Sequence, residues 1–183
     1  MNESIRTTRL QLRQWKETDR MPFAQMNTDP EVMRYFPRTF TTRESNSFID
    51  QNIELIANHG WGAWAVDVVE LETFIGFVGF SHPASWHPCA GNVDIGWRLN
   101  KNHWGLGYAT EAARQVLSTG FGSIGFASLV SFTSACNFPS IQVMKKIGMH
   151  QDHRGFEHPH ISTDSRLRKH VVFRINQNDW QGT

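Results

Sequence analysis

The chain has 183 residues, of which 39% are hydrophobic and 19% are charged, and this length fits one soluble domain that covers residues 1–183. A net charge of +1 excludes the strongly basic surface of a dedicated nucleic-acid binder, so no nucleic acid is expected as a partner. The opening residues lack the apolar core of a signal peptide, no segment is apolar enough to span a membrane, and Cys89 and Cys136 form no disulfide framework, so we expect a cytoplasmic protein without a membrane partner.

Apolar patterning predicts strands and helices in the order β, α, α, β, β, β, α, β, α, β, β. Alternation of apolar and polar residues marks the strands, and apolar residues at helical spacing mark the helices. Thr41 and Glu44 form a capping box, and Gly60 ends the helix that follows. The predicted strands cover residues 9–13, 64–68, 74–80, 93–99, 129–134, 149–156 and 170–175. The predicted helices cover residues 17–27, 42–58, 108–121 and 140–147, with a further helical turn in DPEVMRYF.

This order predicts an α/β fold, a single domain with a mixed sheet of about seven strands flanked by helices. Segments 64–68 and 74–80 are expected to pair as a hairpin, because a short turn separates them. Gly96 lies within the strand 93–99 and fits a β-bulge there.

The most informative stretch, VDIGWRLNKNHWGLGYATEAARQVL from Val93 to Leu117, is typical of a strand, a glycine turn and a helix. Gly105 and Gly107 permit positive φ and a close approach of backbone to a ligand, and the first N–H groups of the helix have no partner within it. Such a turn suits a phosphate or pyrophosphate. The stretch lacks Gly-Lys-Ser/Thr and does not have the dinucleotide glycine spacing. Because glycine pairs also occur in ordinary connections, this feature alone does not decide between the two interpretations.

Four motifs in chain order resemble those of the GNAT N-acetyltransferase superfamily. HWGLGYATEAA resembles its acyl-CoA pyrophosphate loop, Arg/Gln-x-x-Gly-x-Gly/Ala, and NFPSIQVMKKIGM resembles its later Asn-x-x-Ser helix. TTRLQLRQW and DPEVMRYFP resemble the branch that includes the ribosomal-protein N-alpha-acetyltransferases, so the resemblance covers nearly the whole chain. One departure is Asn102, where the superfamily has Arg or Gln. The expected phosphate contacts are mostly to backbone, so the site tolerates this change.

The resemblance implies acetyl-CoA as the co-substrate and a primary amine as the acceptor, either a protein N-terminus or a small molecule, with direct transfer in a ternary complex. It also implies that strands 93–99 and 129–134 splay apart around the pantetheine arm. Whether the protein is a monomer or a homodimer is left open. The implied cofactor-binding residues are Trp97, Leu99, Trp104, Gly105, Leu106, Gly107, Tyr108, Ala109, Thr110 and Asn137.

Acetyl transfer to an amine requires a base for the ammonium proton, a donor for the oxyanion and a proton for the departing thiolate. Asp94 is the first candidate for the base, because relatives often have Glu at the matching strand position. Its alternative is a structural pairing with Arg98, and His82 and Asp67 are further candidates for the base. A backbone N–H within residues 95–97 is the donor that the family implies for the oxyanion.

Ser140 lies where the resemblance places a thiol-protonating serine, although a serine there also suits the capping of its own helix. FEHPH resembles the FDHP loop of this branch, which implies that Glu157 or His158 holds the substrate amine; a plain loop is the alternative. The histidines lack the spacing of a zinc site, so no metal is expected. Cys136 has no activating base beside it in the sequence, which argues against a covalent route.

Two questions stay open at the level of sequence. A protein acceptor predicts an open, acidic or polar groove, whereas a small amine predicts a closed aromatic pocket, for which Trp61, Trp64 and Trp86 are available. The alternative to an enzyme is a non-catalytic acyl-CoA-binding module that senses the cofactor or docks a partner. Such a module needs the glycine turn but no base.

Overall fold

The computed structural model describes residues 4–182. Over this range the chain forms one sheet of nine strands flanked by four α-helices, which confirms the predicted α/β class. The strands are β1 (Ile5–Arg6), β2 (Leu10–Arg13), β3 (Ala63–Val68), β4 (Thr73–Ser81), β5 (Asp94–Leu99), β6 (Ser128–Ser134), β7 (His150–Gln151), β8 (Phe156–Glu157) and β9 (Lys169–Asn176). The helices are α1 (Arg20–Thr28), α2 (Thr42–His59), α3 (Tyr108–Thr119) and α4 (Phe138–Lys146).

The sheet has the order β1-β2-β3-β4-β5-β6-β9-β7, and β8 also pairs with β9. Strands β3 and β4 form the predicted antiparallel hairpin. Strands β5 and β6 run parallel, and within residues 4–182 they share a single residue pair, Asp94 with Val130. The Val130 N–H donates to the Val93 carbonyl at 3.0 Å, and beyond this point the strands diverge. The predicted splay is therefore confirmed, and it leaves the facing edges of β5 and β6 without ladder partners.

The predicted bulge at Gly96 is wrong. Gly96 pairs in register with Gly79, and the irregularity lies between β3 and β4, where Val66 pairs with Gly76 and the next residue of β3 pairs with Phe74. Gly76 has φ +136°, and a Cβ there would collide with the carbonyl oxygen of the facing strand. A Cβ at Gly96 would meet its nearest heavy atom only at 3.8 Å. The glycine at position 96 therefore leaves open space and does not relieve a close backbone approach.

Local capping signals set the helix ends. The Thr41 hydroxyl accepts from the Glu44 N–H at 3.2 Å, and the Glu44 carboxylate accepts from the Thr41 N–H at 2.8 Å, so the predicted capping box of α2 is confirmed. Gly60 ends α2 with φ +76°. Helix α4 begins two residues earlier than predicted, because Asn137 and not Ser140 is its N-cap. The DPEVMRYF segment forms hydrogen-bonded turns, not a regular helix.

The predicted strand 149–156 is wrong, because β7 and β8 are separate short strands that both pair with β9. The Asp152 carboxylate accepts from the Arg154 N–H at 3.1 Å, a local bond that turns the chain and interrupts the ladder. A Cβ at Gly155 would lie 2.6 Å from the His170 carbonyl oxygen, so the chain passes close to β9 there. This split and the short β1 account for nine strands where about seven were predicted.

The two faces of the sheet carry different helices, and the core lies between them. Rings from α1 and α2 pack on β4, as Phe23 and Phe48 do on Phe77 with centroids 6.0 and 4.8 Å apart. On the other face, Ala112 and Ala113 of α3 are fully buried. In the described range, no helix combines the length and apolarity needed to cross a membrane.

Candidate functional site

A cavity of about 680 Å³ extends through the region where β5 and β6 separate. Its walls come from both strands, from the turn before α3, from the start of α4 and from the loop that follows α1. Among the residues singled out from the sequence, those that line it are Asp94, Trp97, Leu99, Trp104, Gly105, Gly107, Tyr108, Ala109, Thr110, Asn137 and Ser140. Leu106, Glu157 and His158 are not among the lining residues. The fold thus brings most of the predicted site into one space.

The turn before α3 is preset by its own contacts. Gly105 and Gly107 have φ of +76° and +83°, in the left-handed region that costs other residues energy. The Trp104 indole N–H donates to the Leu99 carbonyl at 2.8 Å and ties the turn to the end of β5. Asn102, the departure from the family motif, lies outside the lining of the cavity.

The first turn of α3 presents unpartnered backbone donors to the cavity. The N-cap of α3 is Gly107, which has no side chain to accept hydrogen bonds from these donors. The first N–H group that forms a hydrogen bond of the helix is that of Glu111, which donates to the Gly107 carbonyl at 3.0 Å. Across residues 4–182, no partner exists for the N–H groups of Tyr108, Ala109 and Thr110. These donors and the positive end of the helix dipole are suited to an anion.

Arg9 ties this turn to the edge of β2, a contact that the sequence analysis missed. Its Nε donates to the Glu111 carboxylate at 2.7 Å, and its Nη1 donates to the Leu106 carbonyl at 3.0 Å. The Thr7 hydroxyl donates to the same carboxylate at 2.6 Å. Burial raises the pKa of Glu111, but these bonds outweigh it and hold the pKa below its usual value. Only the TTRLQLR motif carried a signal for this contact, and it did not identify Glu111 as the partner.

Asp94 lies at the point where β5 and β6 part. Burial raises the pKa of Asp94 from 3.8 to about 6, against the opposing effects of a bond from Ser81 and the nearby charge of His82. The Ser81 hydroxyl donates to its carboxylate at 2.7 Å. Asp94 does not pair with Arg98, so that structural alternative is wrong. A half-buried carboxylate with a pKa near 6 suits a general base, because most of it is ionised at neutral pH.

The other candidates for the base lie elsewhere. Asp67 accepts two hydrogen bonds from the Arg13 guanidinium, at 2.5 and 2.6 Å, and does not line the cavity. The His82 ring packs on Trp61, with centroids 5.2 Å apart, also outside the lining. Over the described residues, Asp94 is the only carboxylate that lines the cavity.

Asn137 and Ser140 form a polar pair on the opposite wall. The Asn137 amide N–H₂ donates to the Thr133 hydroxyl at 2.8 Å and to the Ser140 hydroxyl at 3.1 Å, and its carbonyl accepts from the Ser140 N–H at 3.4 Å. Because the Ser140 oxygen accepts from Asn137, its own O–H is left to donate into the cavity.

Glu157 and His158 are held away from the cavity. The Glu157 carboxylate pairs with the Arg168 guanidinium at 2.9 Å. The His158 ring packs on Trp86 with centroids 4.7 Å apart. Burial, together with the charges of neighbouring histidines, lowers the pKa of His158. In the described part of the chain, no group of three or more His, Cys, Asp or Glu side chains is arranged to hold a metal ion.

The remaining wall is aromatic, but it does not include the three tryptophans that the sequence offers for an aromatic pocket, since Trp61, Trp64 and Trp86 are absent from the lining. Trp64 is instead a core residue, 4% exposed. The aromatic residues on this wall come from the loop after α1, from α2 and from β4, and they are Tyr35, Phe36, Phe48, Phe77 and Phe80.

Comparison with known proteins places this architecture among acetyltransferases. A family model described as Acetyltransferase (GNAT) domain matches residues 9–150. The uncharacterized N-acetyltransferase YnaD of Bacillus subtilis (strain 168) is 28% identical over 179 residues, 96% of this chain and 98% of YnaD. A GNAT-family acetyltransferase from Bacillus anthracis has a similar structure, with TM-score 0.79 and 24% identity over 96% of this chain and 99% of that one. The ribosomal-protein-S5-alanine acetyltransferase of Vibrio fischeri shares the fold, with TM-score 0.76 and 17% identity over 98% and 99% of the two chains.

Proposed function

Because the chain belongs to the GNAT acetyltransferase family, we propose that it transfers the acetyl group of acetyl-CoA directly to a primary amine within a ternary complex. The observation that carries this proposal is that one cavity contains both the unpartnered N–H groups of α3 and the carboxylate of Asp94. An anion-binding helix start next to a carboxylate of raised pKa is what transfer from a phosphate-bearing thioester to an ammonium requires.

The residues of the cavity fit acetyl-CoA. The N–H groups of Tyr108 to Thr110 would hold its pyrophosphate, beside Gly105 and Gly107, which present no side chain to the site. The free edge of β5 at Trp97 and Leu99 would pair with the pantetheine amides. Asn137 supports this part of the site from the facing wall.

The bond to be made joins the amine nitrogen to the acetyl carbon, and the bond to be broken is carbon to sulfur. Asp94 accepts the proton that the ammonium must lose before it attacks. The Ser140 hydroxyl donates a proton to the departing thiolate, and the second proton, which the nitrogen releases as the amide forms, restores that hydroxyl. The Asn100 N–H donates to the Ile75 carbonyl at 2.8 Å, which fixes the alternation of the β4–β5 ladder. That alternation turns the Trp97 N–H away from β4 and into the gap, where it would stabilise the oxyanion.

The alternative is a non-catalytic acyl-CoA-binding module. It would use the same start of α3 but would not depend on Asp94. Thiol release from acetyl-CoA in the presence of an amine and peptide panel separates the two functions, because only an enzyme releases thiol in proportion to an acceptor.

We expect Asp94→Asn to lower kcat by about 100-fold or more while acetyl-CoA affinity is kept. The matched control is Asp164→Asn, which removes an exposed carboxylate outside the cavity and should leave kcat unchanged. Acetyl-CoA binding without thiol release for any amine would contradict the enzyme proposal. Full turnover by Asp94→Asn would contradict only the role of Asp94.

A further inference from the structure

Arg98 is a buried cation that lines the cavity. It is 8% exposed, and its guanidinium lies over the rings of Phe36 and Phe40 at 4.3 and 4.9 Å. Its Nη1 donates to the side-chain carbonyl of Asn27 at 2.7 Å. Within the described chain, no carboxylate pairs with Arg98, and its Nε is buried without a hydrogen-bond partner.

Arg13, the other arginine buried to this degree, is also 8% exposed and shows how the fold otherwise treats such a group. Its guanidinium donates to both oxygens of Asp19, at 2.7 and 2.9 Å, and to both oxygens of Asp67. Arg98 has only the neutral amide of Asn27, and burial lowers its pKa to about 10. A buried cation without a counter-charge is costly, which indicates that the site is completed by an anion that binds there.

One nitrogen of the guanidinium is left for an anion. The bond to Asn27 uses Nη1 and Nε is enclosed by protein atoms, so Nη2 is the nitrogen that is neither enclosed nor hydrogen-bonded to another residue among residues 4–182. A charged N–H donor of this kind forms a strong, charge-assisted hydrogen bond with a carboxylate oxygen.

The position of Arg98 relative to Asp94 indicates which molecule brings this anion. The two residues lie four apart on β5 and therefore on the same face, with their Cα atoms roughly 13 Å apart. Both line the cavity, so an amine held at Asp94 and an anion held at Arg98 would belong to one acceptor. Arg34 also lines the cavity, and the positive charge of the two arginines disfavours a polycationic acceptor.

We propose that Arg98 binds a carboxylate of the acceptor, and that the substrate is a small amine whose carboxylate lies several bonds from the reacting nitrogen. An ω-amino acid or a dipeptide has this form. This inference rests on the proposed function, because it assigns the acceptor class of the same site.

The test compares carboxylates with their neutral amides, which have nearly the same size. Suitable pairs are 6-aminohexanoate with 6-aminohexanamide, and glycylglycine with glycylglycinamide, measured by thiol release from acetyl-CoA. In the wild type, the carboxylate of at least one pair should have a kcat/KM at least about tenfold higher than its amide, through a lower KM. Arg98→Gln should bring that ratio close to one, and Arg98→Lys should restore part of it. Arg43→Gln, a change at an exposed arginine of α2, should keep the wild-type ratio.

A second variant covers the case in which Arg98→Gln does not fold. Asn27→Asp places a carboxylate next to Nη1 of Arg98, so it should neutralise the cation internally and raise KM for the carboxylate acceptors. Equal kcat/KM within both pairs, or a preference that persists in both variants, would overturn the inference and leave the proposed function intact. No thiol release with any amine would overturn both.

Discussion

Asp94 combines partial burial with one hydroxyl donor, and the balance of the two sets its protonation. Burial disfavours the carboxylate, whereas the Ser81 hydroxyl at 2.7 Å favours it. The outcome is a pKa of about 6, compared with 3.8 for an ordinary aspartate. Because the folded state binds this proton more tightly than the unfolded chain does, Asp94 should affect stability as well as activity.

We expect Asp94→Asn to stabilise the protein at high pH. The stabilising effect of the raised pKa is fully present below about pH 3.8 and is lost as the pH rises through about 6. At higher pH the wild type must keep a buried, ionised carboxylate, which lowers its free energy of unfolding, whereas the amide of the variant stays neutral. The variant should therefore be about 1–3 kcal/mol more stable than the wild type at pH 8, and this advantage should vanish near pH 4. Urea unfolding at both pH values measures it, with Asp164→Asn as the control. An equal difference at the two pH values would contradict the raised pKa.

Removal of the Ser81 hydroxyl should raise the pKa of Asp94 further. Ser81→Ala takes away the bond that favours the ionised form, so the acid limb of kcat/KM should move up by about one pH unit. The profile is measured with the same amine for both proteins, so that the titration of the amine cancels. A limb at the wild-type position would show that Asp94 is not the group that titrates.

Sequence patterns identified Asp94 but not its environment. Ser81 is 13 residues from Asp94 and is brought to it by the register of β4 and β5. Asn27 is 71 residues from Arg98, and only the packing of α1 on the sheet joins them. Contacts of this kind leave no local signal, which is why the sequence analysis wrongly offered Arg98 as a partner of Asp94. The catalytic roles of Asp94 and Ser140 stay predictions.

Helix α3 begins with backbone N–H donors that have no partner within the helix, and Arg9, just before β2, keeps that start in place. Glu111, in the first turn, would repel an anion at the N-terminus if its charge were not compensated. Arg9 supplies the compensating cation and also holds the Leu106 carbonyl.

Arg9→Ala should therefore weaken acetyl-CoA binding by about tenfold, because it exposes the anion site to the Glu111 charge and releases the turn. Arg9→Ala combined with Glu111→Gln should recover part of the loss. Arg38→Ala is a matched control, since Arg38 pairs with Glu44 in the first turn of α2, away from the cavity. Calorimetric affinities for the three variants and the wild type check this, and an unchanged affinity in Arg9→Ala would contradict it.

Element boundaries were predictable where the signal was local. The capping box and Gly60 gave α2 to within a residue, and the glycine turn placed α3 correctly. The prediction failed at residues 149–156, where a side-chain bond of Asp152 and the approach of Gly155 to β9 divide one expected strand. It also failed at Gly96, because the sequence shows only that a glycine is present. It does not show whether that glycine permits a β-bulge or leaves room in a cavity.

The whole sheet is organised around the divergence of β5 and β6, which leaves one continuous cavity. Under the proposed function this cavity would hold the amine and the thioester together, so that transfer needs no covalent intermediate. Cys136, the thiol nearest to the end of β6, does not line the cavity, and its sulfur lies 3.2 Å from the Ser134 hydroxyl.

Initial rates with both substrates varied should give intersecting lines in double-reciprocal plots, as expected for a ternary complex. Cys136→Ala should keep kcat within about twofold, because no step passes through this thiol. Parallel lines, or an acetyl group found on the protein by mass spectrometry in the absence of amine, would instead indicate a covalent route.

The proposed function depends above all on acetyl-CoA binding at the start of α3, and calorimetric titration of the wild type, Gly107→Glu and Gly125→Glu measures this binding. Both glycines are left-handed, with φ of +83° and +81°, so the two variants carry a similar backbone cost, but only Gly107 lines the cavity. We expect one binding site in the wild type and in Gly125→Glu, and an affinity at least about 100-fold lower in Gly107→Glu, whose carboxylate would occupy the anion site and repel the phosphates. Equal affinity in all three proteins, or a folded wild type that does not bind acetyl-CoA, would contradict it.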